Sequence, residues 1–129
     1  MLLYPCWQKE ERKEGTIMSI ASDLIRGHTD TIILARLTDS DNYGYEINKS
    51  IQQLTDGMYE LKEATLYTAF RRLEQSGCIS SYWGDEQTGA RRRYYTITDN
   101  GRDTYKALIK DWKAAKIMID KLIGTEDKE

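Results

Sequence analysis

Histidine is nearly missing from this 129-residue chain: it has one, His28, beside two cysteines, Cys6 and Cys78, that form no CxxC pair. That leaves no zinc set, and no metal or other cofactor is expected. Nucleophilic catalysis also lacks its parts. The lone histidine is distant in sequence from both thiols, and the chain has no phosphate-cradling glycine loop, no Ser/His/Asp set and no paired carboxylates in an obvious pocket. An enzyme is therefore not expected. Two lone thiols suit a reducing cytosol better than a disulfide scaffold, and Cys78 reads as a small apolar strand residue. No apolar run approaches the roughly 20 residues that span a bilayer, and MLLYPCW is too short for a signal-peptide core. A cytoplasmic protein without a membrane partner is expected. Net positive charge is missing too: the formal charge is -2 and the pI about 5.5. Any affinity for nucleic acid must come from a local gathering of arginine and lysine.

What is present suits one domain with a modest core. Residues 1–17, with the charge cluster QKEERKEG, read as a disordered tail or the product of an upstream start codon. Patterned sequence begins near Met18. A first helix is expected from Ser19 to Leu37, capped by Ser19 or Ser22 and bent or broken at Gly27. After the turn TDSDN, Asn42 is the expected N-cap of a second helix with Ile47, Ile51 and Leu54 as its buried stripe. Thr55-Asp56-Gly57 ends that helix, and a third runs from about Glu63 to Gly77. The period then changes from 3.6 to 2. Cys78 to Trp83 and Arg91 to Thr98 read as two strands of a hairpin with a long tip, GDEQTGA. Thr98 caps a final helix reaching about Ile123, with Gly124 after it. The expected fold is mainly α with a small β-hairpin. It is a winged helix-turn-helix over residues 18–98, then a dimerisation helix over 99–124 and a tail at 125–129.

The third helix buries Leu66, Ala69, Phe70 and Leu73, which leaves Thr65, Tyr67, Thr68, Arg71 and Arg72 facing outward. In a helix-turn-helix unit the second helix enters the major groove. Hydroxyls and guanidiniums there can reach base edges and phosphates. Paired arginines on a helix often do no more than solvate it, but the hairpin adds Arg91, Arg92 and Arg93. Alternation puts Arg91 and Arg93 on one side of the strand and Arg92 on the other. From Ala64 to Thr96 these arginines, 71, 72, 91, 92 and 93, stand against Glu74, Asp85 and Glu86 only. A positive excess inside an acidic chain is the footprint expected of a double-stranded DNA partner.

On the last helix Tyr105, Leu108, Trp112, Ala115, Ile119 and Leu122 alternate spacings of 3 and 4, a heptad seam. A second copy is its natural partner, and a two-fold homodimer would set two wings on a palindromic operator. The alternative is a helix folded back on its own domain. Trp112 in mid-seam would hold two subunits apart and leave a gap able to stack a planar aromatic ligand, although a tryptophan at such spacing is more often core.

ATLYTAFRRLEQSGCISSYWGDEQTGARRRYYTITDNG, with DNYGYEI and TDGMYELKEATLY upstream and the Trp112 helix downstream, resembles the PadR family of transcriptional repressors from about Ile20 to Leu122. The chain's length and single C-terminal helix are similar to the short subfamily and its multidrug-responsive branch. The phenolic-acid-responsive branch has a longer C-terminal region. The resemblance implies a homodimeric repressor, with flat aromatic drugs stacked at the position of Trp112. It places Leu24, Gly27, Thr31 and Leu34 of the first helix at that pore, with Tyr105 and Leu108 on the arm. Lys113 and Lys116 flank Trp112 where the drug-binding branch has acidic character, which shifts the expected ligand toward anionic or neutral planar compounds. A rival expectation, encouraged by the acidic pI, is a winged-helix module that docks a protein partner and not DNA.

Overall fold

The computed structural model describes residues 23–85 and 91–125. The expected tail at 1–17, the Ser19 and Ser22 caps and most of the wing tip lie outside the described residues. A helical stretch at 23–26 breaks at Gly27-His28. There follow α1 (Thr29–Leu37), β1 (Asn42–Tyr43), α2 (Gly44–Leu54), α3 (Glu63–Gln75), β2 (Ile79–Trp83), β3 (Arg93–Ile97) and α4 (Asp99–Ile123).

The three strands form one antiparallel sheet in the order β1-β3-β2. Strand β1 corrects the sequence reading, which made Asn42 the cap of α2. Asn42 and Tyr43 instead pair with Tyr95 and Tyr94, and the Asn42 side chain accepts the Tyr43 N–H at 2.9 Å. The cap position of α2 is Tyr43, with no side-chain hydrogen bond. Pairing with β3 satisfies backbone groups of this segment, and a two-residue strand leaves no periodic trace in sequence.

The apolar stripes of the three helices meet over this sheet. Ile33, Leu34 and Leu37 from α1, Ile47 and Ile51 from α2, and Leu66, Ala69, Phe70 and Leu73 from α3 are all buried with Ile79, Tyr95 and Ile97. The Phe70 and Tyr95 rings stack at 3.9 Å between centroids. Burial pushes the Tyr95 phenol above its ordinary pKa. Leu54 departs from the expected stripe. It is 65% exposed, because α2 ends there and the chain turns away through Asp56 and Gly57, both at positive φ. The linker is pinned back onto α2 by Asn48, whose Nδ2 donates to the Leu61 carbonyl at 2.7 Å while its Oδ1 accepts the Leu61 N–H at 2.8 Å. That clamp fixes where α3 begins.

Helix α4 starts as its sequence implies. The Thr98 hydroxyl accepts from the Gly101 N–H at 2.9 Å and donates to the Gly77 carbonyl at 2.6 Å. Gly124 closes the helix at φ 79°. The first turns lie on α1: Arg102 donates to the Thr38 carbonyl at 3.1 Å, and Tyr105 and Leu108 pack partly buried against the core. Beyond them α4 leaves its own domain, and Ile117, Met118, Ile119, Leu122 and Ile123 are exposed.

Candidate nucleic-acid interface

The buried stripe of α3 decides which residues it offers outward. Tyr67, Thr68, Arg71 and Arg72 are exposed and Thr65 is half-buried. Tyr67 sets its ring edge-on to Phe70 at 5.4 Å and its hydroxyl over the first turn of α2. Gly44 permits this: a Cβ there would come within 2.6 Å of the Tyr67 oxygen. Thr65, Thr68 and Arg72 share a recess of about 340 Å³ with Arg26 and Thr29. Arg72 is not idle. Its Nε donates to Asp30 at 3.4 Å, its second nitrogen forms an ion pair with the same carboxylate, and this hydrogen bonding raises the guanidinium pKa further. A contact with DNA would draw on an arginine already held by α1.

The wing arginines divide as alternation requires. The Arg91 and Arg93 guanidinium carbons stand 5.5 and 5.6 Å from the centroid of the Trp83 ring, while that of Arg92 stands 4.8 Å from the Tyr43 ring. Trp83 itself is 53% exposed. On Arg92's side, Tyr43, Tyr94 and Tyr82 form a run of ring contacts, and the Tyr82 hydroxyl donates to Asp41 at 2.7 Å. That hydrogen bond raises the Tyr82 pKa.

Glu74 joins the helix to the wing. Its carboxylate accepts from Ser81 and lies 3.6 Å from an Arg93 nitrogen. Arg71 sits one turn earlier on the surface of α3. Through Glu74, Arg93 and Trp83, the contacts from α3 to Arg91 run along one side of the molecule. Glu74 thus ties α3 to the wing, while Arg72 on the other flank of the helix is held by Asp30 of α1. Sequence reading missed Arg26, Asp30, Tyr43 and Glu74 as partners here. Only the cross-strand position of Trp83 opposite the arginines carried a legible signal.

The residues expected to hold a planar ligand are less uniformly placed. Trp112 is 41% exposed, edge-on to His28 at 5.0 Å and beneath Lys116, whose Nζ is 5.9 Å from the ring centroid. Leu24 and Gly27 are exposed and Thr31 is half-buried. Leu34 is a correction: it is wholly buried among the helices of its own domain, so its side chain lines no open surface. Of the heptad seam, Tyr105 and Leu108 serve their own core, Ala115 is half-buried, and Ile119 and Leu122 are exposed. Among the described residues there is no metal-holding group of His, Cys, Asp and Glu, and no helix long and apolar enough to cross a membrane.

A helix-turn-helix followed by an antiparallel wing, with exposed arginines on its second helix and on that wing, has the form of a winged-helix DNA-binding protein. Residues 33–107 match the model of the Transcriptional regulator PadR-like family, over half of the chain, and the chain belongs to that family. It is similar to a transcriptional regulator from Clostridium thermocellum, at 51% identity and TM-score 0.72 over 78% of this chain and 94% of that one. A PadR family transcription regulator from Clostridium difficile is 34% identical, with TM-score 0.64 over 74% of this chain and 98% of that one. An uncharacterized protein from Lysinibacillus sphaericus is 45% identical over 78% of this chain and 93% of its own length. The protein is thus a DNA-binding transcriptional regulator, not an enzyme, and the rival reading of the exposed face as a module that avoids DNA falls away.

Proposed function

We propose that this regulator acts as a homodimeric repressor that occupies a palindromic operator and is released by a planar aromatic ligand bound between the two C-terminal helices. The observation that carries the reading is the second half of α4. Ile119 and Leu122 leave the domain at 51% and 82% exposure, with Trp112 at the point of departure. An apolar face of that length is costly in water and is relieved by a second copy. Paired copies would set two α3 helices and two wings on successive half-sites. On the DNA side Thr65, Tyr67, Thr68, Arg71 and Arg72 would meet the groove, with Arg91, Arg92 and Arg93 on the flanking backbone. The ligand would stack on Trp112 near Tyr105, Leu108 and Lys116, with Leu24, Gly27 and Thr31 around it. Lys116 over the indole favours an anionic or neutral compound. Release requires that the ligand bind one dimer arrangement better than the other.

Gel retardation with a duplex of the protein's own promoter region tests the reading. Arg91→Ala with Arg93→Ala should weaken binding and lower the slope of log affinity against log salt by up to about 0.9 for each phosphate that is no longer neutralised. Adding a planar aromatic carboxylate should release wild-type protein but not Trp112→Ala, and quench indole fluorescence saturably only where Trp112 is present. Release of both proteins alike would refute the Trp112 site.

A further inference from the structure

We propose that Trp83 is a positioning residue of the wing: its indole holds Arg91 and Arg93 in the arrangement in which they meet the DNA backbone. The inference rests on the DNA reading of the wing.

Strand register creates the arrangement. Trp83 pairs directly with Arg93, and residues directly opposed across an antiparallel pair leave the sheet on the same face. Arg91, two residues before Arg93, returns to that face. One indole is thereby offered to two guanidiniums, at 5.5 and 5.6 Å, both within cation–π reach. The ring gains little from burial, since it is 53% exposed. Further restraints act from both sides. Glu74 approaches Arg93 at 3.6 Å, and Nε of Arg91 donates to the Gly84 carbonyl at 3.5 Å.

Two like charges on one face repel, and an arginine with a free stem loses rotamer freedom when a phosphate fixes it. A π face attracts both cations and restrains their stems before DNA arrives. Trp83 thus lowers the ordering cost of two phosphate contacts at once, acting through the arginines.

The test is binding of a labelled duplex of the protein's own promoter region across a salt series. The proteins compared are wild type, Trp83→Leu, Trp83→Phe, the Arg91→Ala/Arg93→Ala variant, and that variant carrying Trp83→Leu as well. Leucine keeps apolar bulk without a π face, and phenylalanine keeps a smaller one. Trp83→Leu should weaken binding about tenfold, equivalent to ~1.4 kcal/mol, with an unchanged salt slope because both charges remain. Trp83→Phe should recover most of the loss, and Trp83→Leu should have no effect without the arginines. Wild-type affinity in Trp83→Leu overturns the proposal. So does an equal loss in both backgrounds, the mark of a purely structural or direct contribution. If removing the arginines itself changes neither affinity nor salt slope, the DNA reading of the wing fails first and the positioning role falls with it.

Discussion

Gly101 sits in the first turn of α4, where alanine would ordinarily improve a helix by nearly 1 kcal/mol. Here a Cβ would fall on the carbonyl oxygen of Cys78, far inside van der Waals contact, and close to Ile97. That carbonyl cannot easily retreat, because it accepts the Thr98 N–H at 3.0 Å. Gly101→Ala should therefore destabilise the fold by about 1–3 kcal/mol, against the propensity trend. Thermal unfolding checks it, and a melting temperature at or above wild type would show that the helix shifts freely. The Thr98 cap was readable beforehand from residue type and the helical period that follows it. The need for glycine three residues later was not, since it depends on a carbonyl contributed by another element.

At the scale of elements, α1 and α3 are joined by the Asp30–Arg72 pair, both of whose side chains are substantially exposed. An exposed ion pair contributes at most about 1 kcal/mol. Asp30→Asn should leave the melting temperature almost unchanged. If α3 enters the groove as proposed, it should raise affinity for promoter DNA a few-fold, by freeing a guanidinium on that helix and removing a nearby carboxylate. Gel retardation reads this directly, and weaker binding would mean that Arg72 contributes from its paired position. Helices α2, α3 and α4 were legible because 3.6-residue periodicity and terminal glycines are local signals. Strand β1 was not, because two residues carry no period and their partners Tyr94 and Tyr95 lie far along the chain. Leu54 misled for a related reason: a stripe position on the last turn has nothing above it once the linker departs.

At the scale of the whole molecule, an acidic chain carries exposed arginines on α3 and the wing, while α4 carries an apolar face past the limit of its own core. Ile119→Glu combined with Leu122→Glu should leave the domain folded and give a monomer by light scattering. Binding to a palindromic promoter duplex should weaken by well over tenfold, since the second half-site no longer binds in tandem. A pair of substitutions that leaves the mass of the species unchanged would remove α4 as the dimer contact.

The sequence by itself determined the order of the helices and of the two hairpin strands, the outward residues of α3, the division of the wing arginines and the capping of α4. Each is set by neighbours a few residues apart, through helical period, strand alternation and cap chemistry. Tertiary structure decided that Leu34 belongs to the core, that Tyr105 and Leu108 serve α1 before any partner, that Asp30 holds Arg72, and that Glu74 ties the helix to the wing. Those outcomes depend on which elements meet in space. Burial and ion pairing are properties of that meeting, and no local pattern encodes them.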